Sequence, residues 1–163
     1  MTDSPITVKP IGVIKTPFTR TEGTPIQPFA ADGAKGLVEI YDEYANALQD
    51  LDGFERIWLL YSFDRTCKTK LKVVPFRDTQ LRGVFSTRAP CRPNLIGMSV
   101  VKLLGIDGTT LRVADVDMLD GTPLLDIKPY IPHIDSYEVS RCGWFDKGRT
   151  KRDRADGRFT DKG

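Results

Sequence analysis

Met98–Ile106 and Thr110–Val116 are two β-favouring runs joined at Asp107-Gly108, a pair that readily takes the positive φ angles of a two-residue hairpin. A hairpin commits both runs to one antiparallel sheet, and the rest of the chain offers more of the same pattern. Lys9–Lys15 alternates loosely around Ile11, Val13 and Ile14. Gly36–Tyr41 and Arg56–Phe63 are short and rich in branched or aromatic residues, as buried strands are. Lys72–Phe76, Arg82–Thr87 and Leu124–Lys128 are further strand candidates, and Asp120-Gly121 reads as a second turn of the hairpin type. One segment reads as helix: Tyr44, Ala47, Leu48 and Leu51 recur at i, i+3, i+4 and i+7, with Gly53 placed to cap it. About seven or eight short strands with turn signals between them predict a mainly β fold, a closed or nearly closed β-barrel with one short helix and long loops.

At 163 residues the chain suits one domain with a real core. We expect a leader over 1–7, the barrel over 8–136 and a basic, partly disordered extension over 137–163. Net charge is only +2, but Lys147–Gly163 holds seven Lys/Arg against three Asp, so this tail carries +4 and the other 146 residues −2. A basic tail on a near-neutral body suits a polyanion partner and equally a solvated end. No apolar run approaches the roughly 20 residues of a membrane span, and the N-terminus lacks a signal pattern, so a cytoplasmic protein is expected. Cys67, Cys91 and Cys142 are an odd set without a Cys-x-x-Cys spacing, which predicts neither a disulfide framework nor a zinc site. His133 is the single histidine, which argues against a histidine-rich metal centre. There is no glycine-rich dinucleotide or P-loop motif, so Rossmann-type and P-loop enzymes are disfavoured.

Three loops stand out: Gly23–Pro28, the proline-interrupted Arg88–Gly97, and Asp117–Pro123. Each also has a plain explanation, since Arg88 and Arg92 suit surface ion pairs and Asp120-Gly121 suits a bare turn. The long stretches GVFSTRAPCRPNLIGMSVVKLLGI (Gly83–Ile106) and DVDMLDGTPLLDIKPYIP (Asp115–Pro132) resemble the signature of the TsaA-like (TrmO-type) family. Pro10–Phe18 and Gly36–Tyr44 resemble it too, so the likeness covers most of residues 8–135. It implies a homodimeric β-barrel that binds S-adenosyl-L-methionine and methylates N6 of threonylcarbamoyladenosine beside the tRNA anticodon.

Carried over by that resemblance, the cofactor contacts are Pro25, Ile26 and Gln27; Asp64 and Arg65; Arg88; Met98; and Leu119, Asp120, Gly121 and Thr122. Their chemistry fits: Arg88 for a carboxylate, Asp64 and Asp120 for hydroxyls or cations, Ile26, Met98 and Leu119 for adenine. Relatives often carry a histidine near the position of Asp64, and bacterial members carry an extra C-terminal domain where this chain has its basic tail. In the DIKPY segment, Asp126 and Lys128 share one strand face. Asp126 is a candidate for proton acceptance or substrate positioning, Lys128 for holding the threonyl carboxylate and Tyr130 for stacking on a base; a structural Asp126–Lys128 ion pair is the competing reading. Arg92 and Asn94 suit a rigid turn or RNA, and Arg141, Arg149, Lys151, Arg152 and Arg154 suit phosphates. The expected partners are tRNA and a second copy of the chain, with no membrane and no metal. The alternatives are a methyltransferase for another substrate and a non-catalytic S-adenosyl-L-methionine-binding protein.

Overall fold

Eight strands form in the computed structural model, which describes residues 4–148 and 150–160: β1 (Gly12–Lys15), β2 (Lys35–Ile40), β3 (Arg56–Ser62), β4 (Lys72–Val73), β5 (Arg82–Gly83), β6 (Ile96–Asp107), β7 (Thr110–Ala114) and β8 (Thr122–Pro129). Six of them close into an antiparallel barrel in the order β1-β2-β7-β6-β3-β8, while β4 and β5 pair with each other outside it. The mainly β, single-domain barrel expected from the sequence is therefore the architecture found.

Alternation along the strands decides what fills the barrel. On β3 the inward row is Ile57, Leu59 and Tyr61, and on β6 it is Gly97, Ser99, Val101 and Leu103. The register sets Ile57 opposite Val101, Leu59 opposite Ser99 and Tyr61 opposite Gly97. Ile14, Val38, Leu111, Val113 and Leu124 enter from the other strands, all fully buried. Burying each such side chain contributes about 1.5–3 kcal/mol. Because Gly97 has no side chain, the Tyr61 ring lies across it: a Cβ there would run into ring carbons of Tyr61 and Phe63.

The β6–β7 hairpin is where the Asp-Gly signal put it, with the turn at Gly108 (φ 62°) and Thr109, one residue later than the pair suggested. Asp120-Gly121 is a turn but not a hairpin, because β7 lies between β2 and β6 whereas β8 lies between β1 and β3. Gly121, at φ 79°, donates its N–H to Ile14 O (2.8 Å), and Asp120 donates its N–H to Phe18 O (2.7 Å). The Asp120 carboxylate accepts the Thr16 N–H at 3.0 Å, so the turn fastens the start of β8 to the end of β1.

Other expectations need correction. The helix over Tyr44–Leu51 is instead a 3-10 helix, Asp42–Leu48, followed by a 3-10 turn, Leu51–Gly53. Asp50 sits between them at φ 65°, which stops continuous helix, although Tyr44, Leu48 and Leu51 do pack on the core. Gly53 ends the second turn and is not a left-handed cap. The strand expected over Arg82–Thr87 ends at Gly83 and becomes a 3-10 turn, Val84–Ser86. The strand expected over Lys72–Phe76 ends at Val73, short of Pro75.

Cys67 and Cys91 form a disulfide, with Cα atoms 5.4 Å apart, while Cys142 is free and exposed. A sequence separation of 24 hid the pairing, which arises because two loops fold onto a small second core of Val73, Val84, Ala89 and Phe159. The extension, expected to be partly disordered, lies against the barrel loops over 150–160. Pro25 bridges Arg154, Ile26 N–H donates to Asp153 O (3.0 Å) and Ala155 N–H to Thr24 O (2.8 Å). Phe159 is only 4% exposed. Residues 1–3 of the expected leader, Arg149 of the basic tail and residues 161–163 lie outside the described residues. Among the described residues no helix is long and apolar enough to cross a membrane, and no cluster of three or more His, Cys, Asp or Glu is placed to hold a metal ion.

Gly97→Ala should destabilise the protein by about 1–3 kcal/mol through overpacking against Tyr61. Gly83→Ala, with open space where its Cβ would go, should stay within about 0.5 kcal/mol of the parent. Urea unfolding of both variants checks this, and equal stabilities would contradict the register described for β3 and β6.

Candidate functional site

Past Leu59 and Val101 the inward rows of β3 and β6 turn polar. Ser99 donates its hydroxyl to Asp117 Oδ1 at 2.6 Å, and the Tyr61 hydroxyl lies 3.0 Å from Ser99 Oγ. Asp117 follows β7 and is 9% exposed. Burial pushes its carboxyl up to about 7, with the Ser99 hydrogen bond and the Arg88 charge pulling the other way. Burial, and then the nearby Asp117 charge, hold the Tyr61 phenol well above its ordinary value.

These three residues face a cavity of about 760 Å³. Its other walls come from stretches far apart in the chain: Pro25, Ile26 and Gln27; Ser62 to Thr66; Thr87 to Pro90; and Leu119 and Thr122. Arg88 donates to Gln27 Oε1 at 2.6 Å, tying the first and third walls together. Arg65 pairs with Asp64 at 3.1 Å and reaches Thr122 Oγ1 at 3.4 Å, while the Thr122 hydroxyl donates to Leu119 O at 2.7 Å. Arg92 takes the structural part of its two expected roles, donating to the carbonyls of Val84, Thr87 and Ala89 at 3.2, 2.8 and 3.3 Å.

Eight of the residues singled out from sequence therefore line one cavity: Pro25, Ile26, Gln27, Asp64, Arg65, Arg88, Leu119 and Thr122. Asp120 and Gly121 are adjacent in sequence but bind β1 and its flank, and they do not line it. Met98 points outward from β6 opposite Leu60 and is 45% exposed. Asp126 and Lys128 form an ion pair of 3.0 Å on β8, outside the cavity. Tyr130 sits edge-on to Trp58, ring centres 5.9 Å apart, in a shallower groove with Arg56 and Asp115. Phe29, Trp58 and Val100 line both hollows, so that groove runs into the cavity.

Sequence reading missed the Tyr61–Ser99–Asp117 group. A signal existed, since Tyr61 and Ser99 are polar positions in otherwise apolar inward rows; nothing distinguished Asp117 from its neighbours in the loop. The extension was missed too. Cys142, Trp144, Phe145, Ala155 and Phe159 all line the cavity. Trp144 Nε1 donates to Ser86 O at 2.7 Å, and the Arg77 guanidinium lies 5.4 Å from the Phe29 ring and 5.5 Å from Phe145, joining the first loop to the extension.

Residues 13–136 match the model for the tRNA-methyltransferase O N-terminal domain. The chain is 47% identical over 156 residues to a probable S-adenosyl-L-methionine-binding protein of Pyrococcus abyssi, covering 94% of this chain and 85% of that one. It is 38% identical to a tRNA (adenine(37)-N6)-methyltransferase of Mus musculus, over 78% of this chain and 31% of that protein. The crystal structure of TrmO from Pseudomonas aeruginosa superposes with a TM-score of 0.72 at 37% identity, covering 86% of this chain and 62% of that one.

The buried acid sets a pH dependence of stability. Because the folded pKa of Asp117 is raised from 3.8 to about 7, the folded state holds this proton more tightly than the unfolded state. Its contribution is most favourable below the unfolded value and is lost as pH rises through that window, by up to about 1.4 kcal/mol per pH unit. Asp117→Asn should flatten that fall in urea unfolding between pH 4 and pH 7, roughly the range of the shift; parallel curves for parent and variant would contradict it. Phe159→Ala should cost about 3 kcal/mol and expose residues 150–160 to limited proteolysis that the parent resists.

Proposed function

Because the chain belongs to the tRNA-methyltransferase O family, we propose that it is an S-adenosyl-L-methionine-dependent methyltransferase acting on N6 of the adenosine at position 37 of tRNA, the base carrying its threonylcarbamoyl group. The observation that carries this reading is the convergence of Gln27, Arg65, Arg88 and Thr122 on one cavity of about 760 Å³. That volume lies within the range of small-molecule sites.

The donor set suits the cofactor. Arg88 offers a guanidinium for its carboxylate, and Asp64 a carboxylate for its ammonium or ribose hydroxyls. Ile26, Phe63 and Leu119 give apolar walls for adenine, and the buried Asp117 places negative charge where a sulfonium is welcome. When bound, the cofactor supplies a methyl group on positive sulfur for in-line displacement. The chain has to align the nucleophile with it and exclude water, which the walls built by Phe29, Trp144 and Phe145 favour.

The tRNA approaches along the groove between Trp58 and Tyr130, where both rings are available for stacking. Lys128 meets the threonyl carboxylate there and Asp126, paired with it, positions the substrate. Ile96, Met98 and Leu104 leave an apolar outward face on β6, each 40–45% exposed. A homodimer joined through that face puts Met98 at the cofactor site of the other protomer. Arg141, Lys151 and Arg152 offer charge for phosphates. The protein works in the cytoplasm, and no metal takes part.

Purified protein should transfer labelled methyl from S-adenosyl-L-methionine to tRNA bearing threonylcarbamoyladenosine, read by mass spectrometry of the nucleosides. Arg88→Ala should weaken cofactor affinity by about 10–100-fold, the loss of a charge-assisted hydrogen bond. Transfer only to a small molecule would overturn the tRNA assignment, and tight binding without any turnover would favour a non-catalytic binding protein.

A further inference from the structure

We propose that Asp117 accepts the N6 proton during methyl transfer, with Ser99 and Tyr61 holding its carboxylate in position. The proposal rests on the methyltransferase reading above and adds a catalytic residue to it.

Among the described residues two carboxylates line the cavity, Asp64 and Asp117. Asp64 is tied to Arg65 at 3.1 Å and is partly open to solvent, which makes it a poor base. Asp117 makes no salt bridge among the described residues, and it is nearly enclosed apart from its face on the cavity. Its hydrogen bonding is directional. Ser99 has one hydroxyl proton and gives it to Asp117 Oδ1 at 2.6 Å, so the Tyr61 hydroxyl, 3.0 Å away, donates to Ser99. The chain of donors runs from Tyr61 through Ser99 to Asp117 and, with the residue's own backbone N–H, holds the carboxylate from the protein side while its face on the cavity takes an incoming proton.

The step balances. The N6–methyl bond forms as the methyl–sulfur bond breaks, the sulfur keeps that bond's electron pair, and the N6 proton passes to Asp117. The negative carboxylate and the positive sulfonium both become neutral. In a buried site the loss of this charge pair needs no solvent reorganisation, so the carboxylate serves as acceptor and as counter-charge to the cofactor. Raising of the Asp117 pKa by burial to about 7 supports the same role, because it matches the acceptor to neutral pH. Arg88 and Tyr61 are the other titratable groups acting on Asp117, and Asp64, Arg65, Arg77 and Cys142 complete the ionisable lining among the described residues.

Calorimetry at pH 6.5 in two buffers of different ionisation heat tests this with the whole chain. The pH lies below the value of about 7 for Asp117. Binding of S-adenosyl-L-methionine should release roughly half a proton or more from the parent protein. The demethylated thioether product, which lacks the sulfonium charge, should release much less, and Asp117→Asn should release almost none with either ligand. In single-turnover transfer, Asp117→Asn should be about 100-fold slower or more, while still binding the cofactor. Ser99→Ala keeps the acid but loses the bond that lowers its pKa, so the pH–rate midpoint should move upward. This variant carries the test if Asp117→Asn does not fold. Equal proton release in parent and Asp117→Asn, a parental transfer rate in that variant, or an unmoved midpoint in Ser99→Ala would each overturn the proposal. Failure of the parent itself to bind the cofactor would instead overturn the methyltransferase reading.

Discussion

The double pairing of β8 holds the molecule together. It meets β1 through Gly12 and Leu124 and β3 through Ile57 and Pro129, which removes both open edges from the sheet. A closed sheet also fixes where its connections leave. The stretches at Pro25, Asp64, Arg88 and Leu119 are remote in sequence, and they converge because the strands they join are locked side by side. The turn at Asp120-Gly121 belongs to this closure, since its hydrogen bonds to Ile14, Thr16 and Phe18 seat β8 on β1. That explains why two residues within the LDGT motif support the site from beneath while Leu119 and Thr122 line it.

Inside the barrel, apolar packing and polar chemistry are divided by position along the strands. Ile57 and Leu59 are fully buried, and the next inward residue on β3 is Tyr61, whose hydroxyl meets Ser99. A buried carboxylate costs stability unless it is hydrogen-bonded, and Asp117 has Ser99 as a close donor and Arg88 as a nearby charge. The acid is thus held at a cost that hydrophobic burial elsewhere in the barrel offsets. Gly97 belongs to the same arrangement, because only a residue without a side chain lets the Tyr61 ring lie across β6.

Much of this was legible in the sequence for definite reasons. Short runs of branched residues and the Asp107-Gly108 pair announce antiparallel strands, and the ordered motifs from Gly83 to Pro132 announce the family. The spacing of Tyr44, Leu48 and Leu51 revealed a half-buried face but not the helix type, since spacings of three and four suit consecutive 3-10 turns as well as an α-helix. Alternation along β6 already set Met98 and Ser99 on opposite faces, a distinction that a carried-over contact ignores. The disulfide depended on two loops meeting in space. The extension was read by its charge alone, although Trp144, Phe145 and Phe159 within it are apolar enough to dock.

That docking has a bearing on how the molecule matures. Every barrel strand ends by Pro129, yet Trp144, Phe145 and Phe159 emerge from the ribosome afterwards. The sheet can close while one side of the hollow is still missing, and the hollow becomes whole only when residues 150–160 settle beside Thr24 and Cys67. Completion of the ligand chamber thereby depends on residues made after the whole barrel, and the order of synthesis permits a complete barrel with an unfinished chamber.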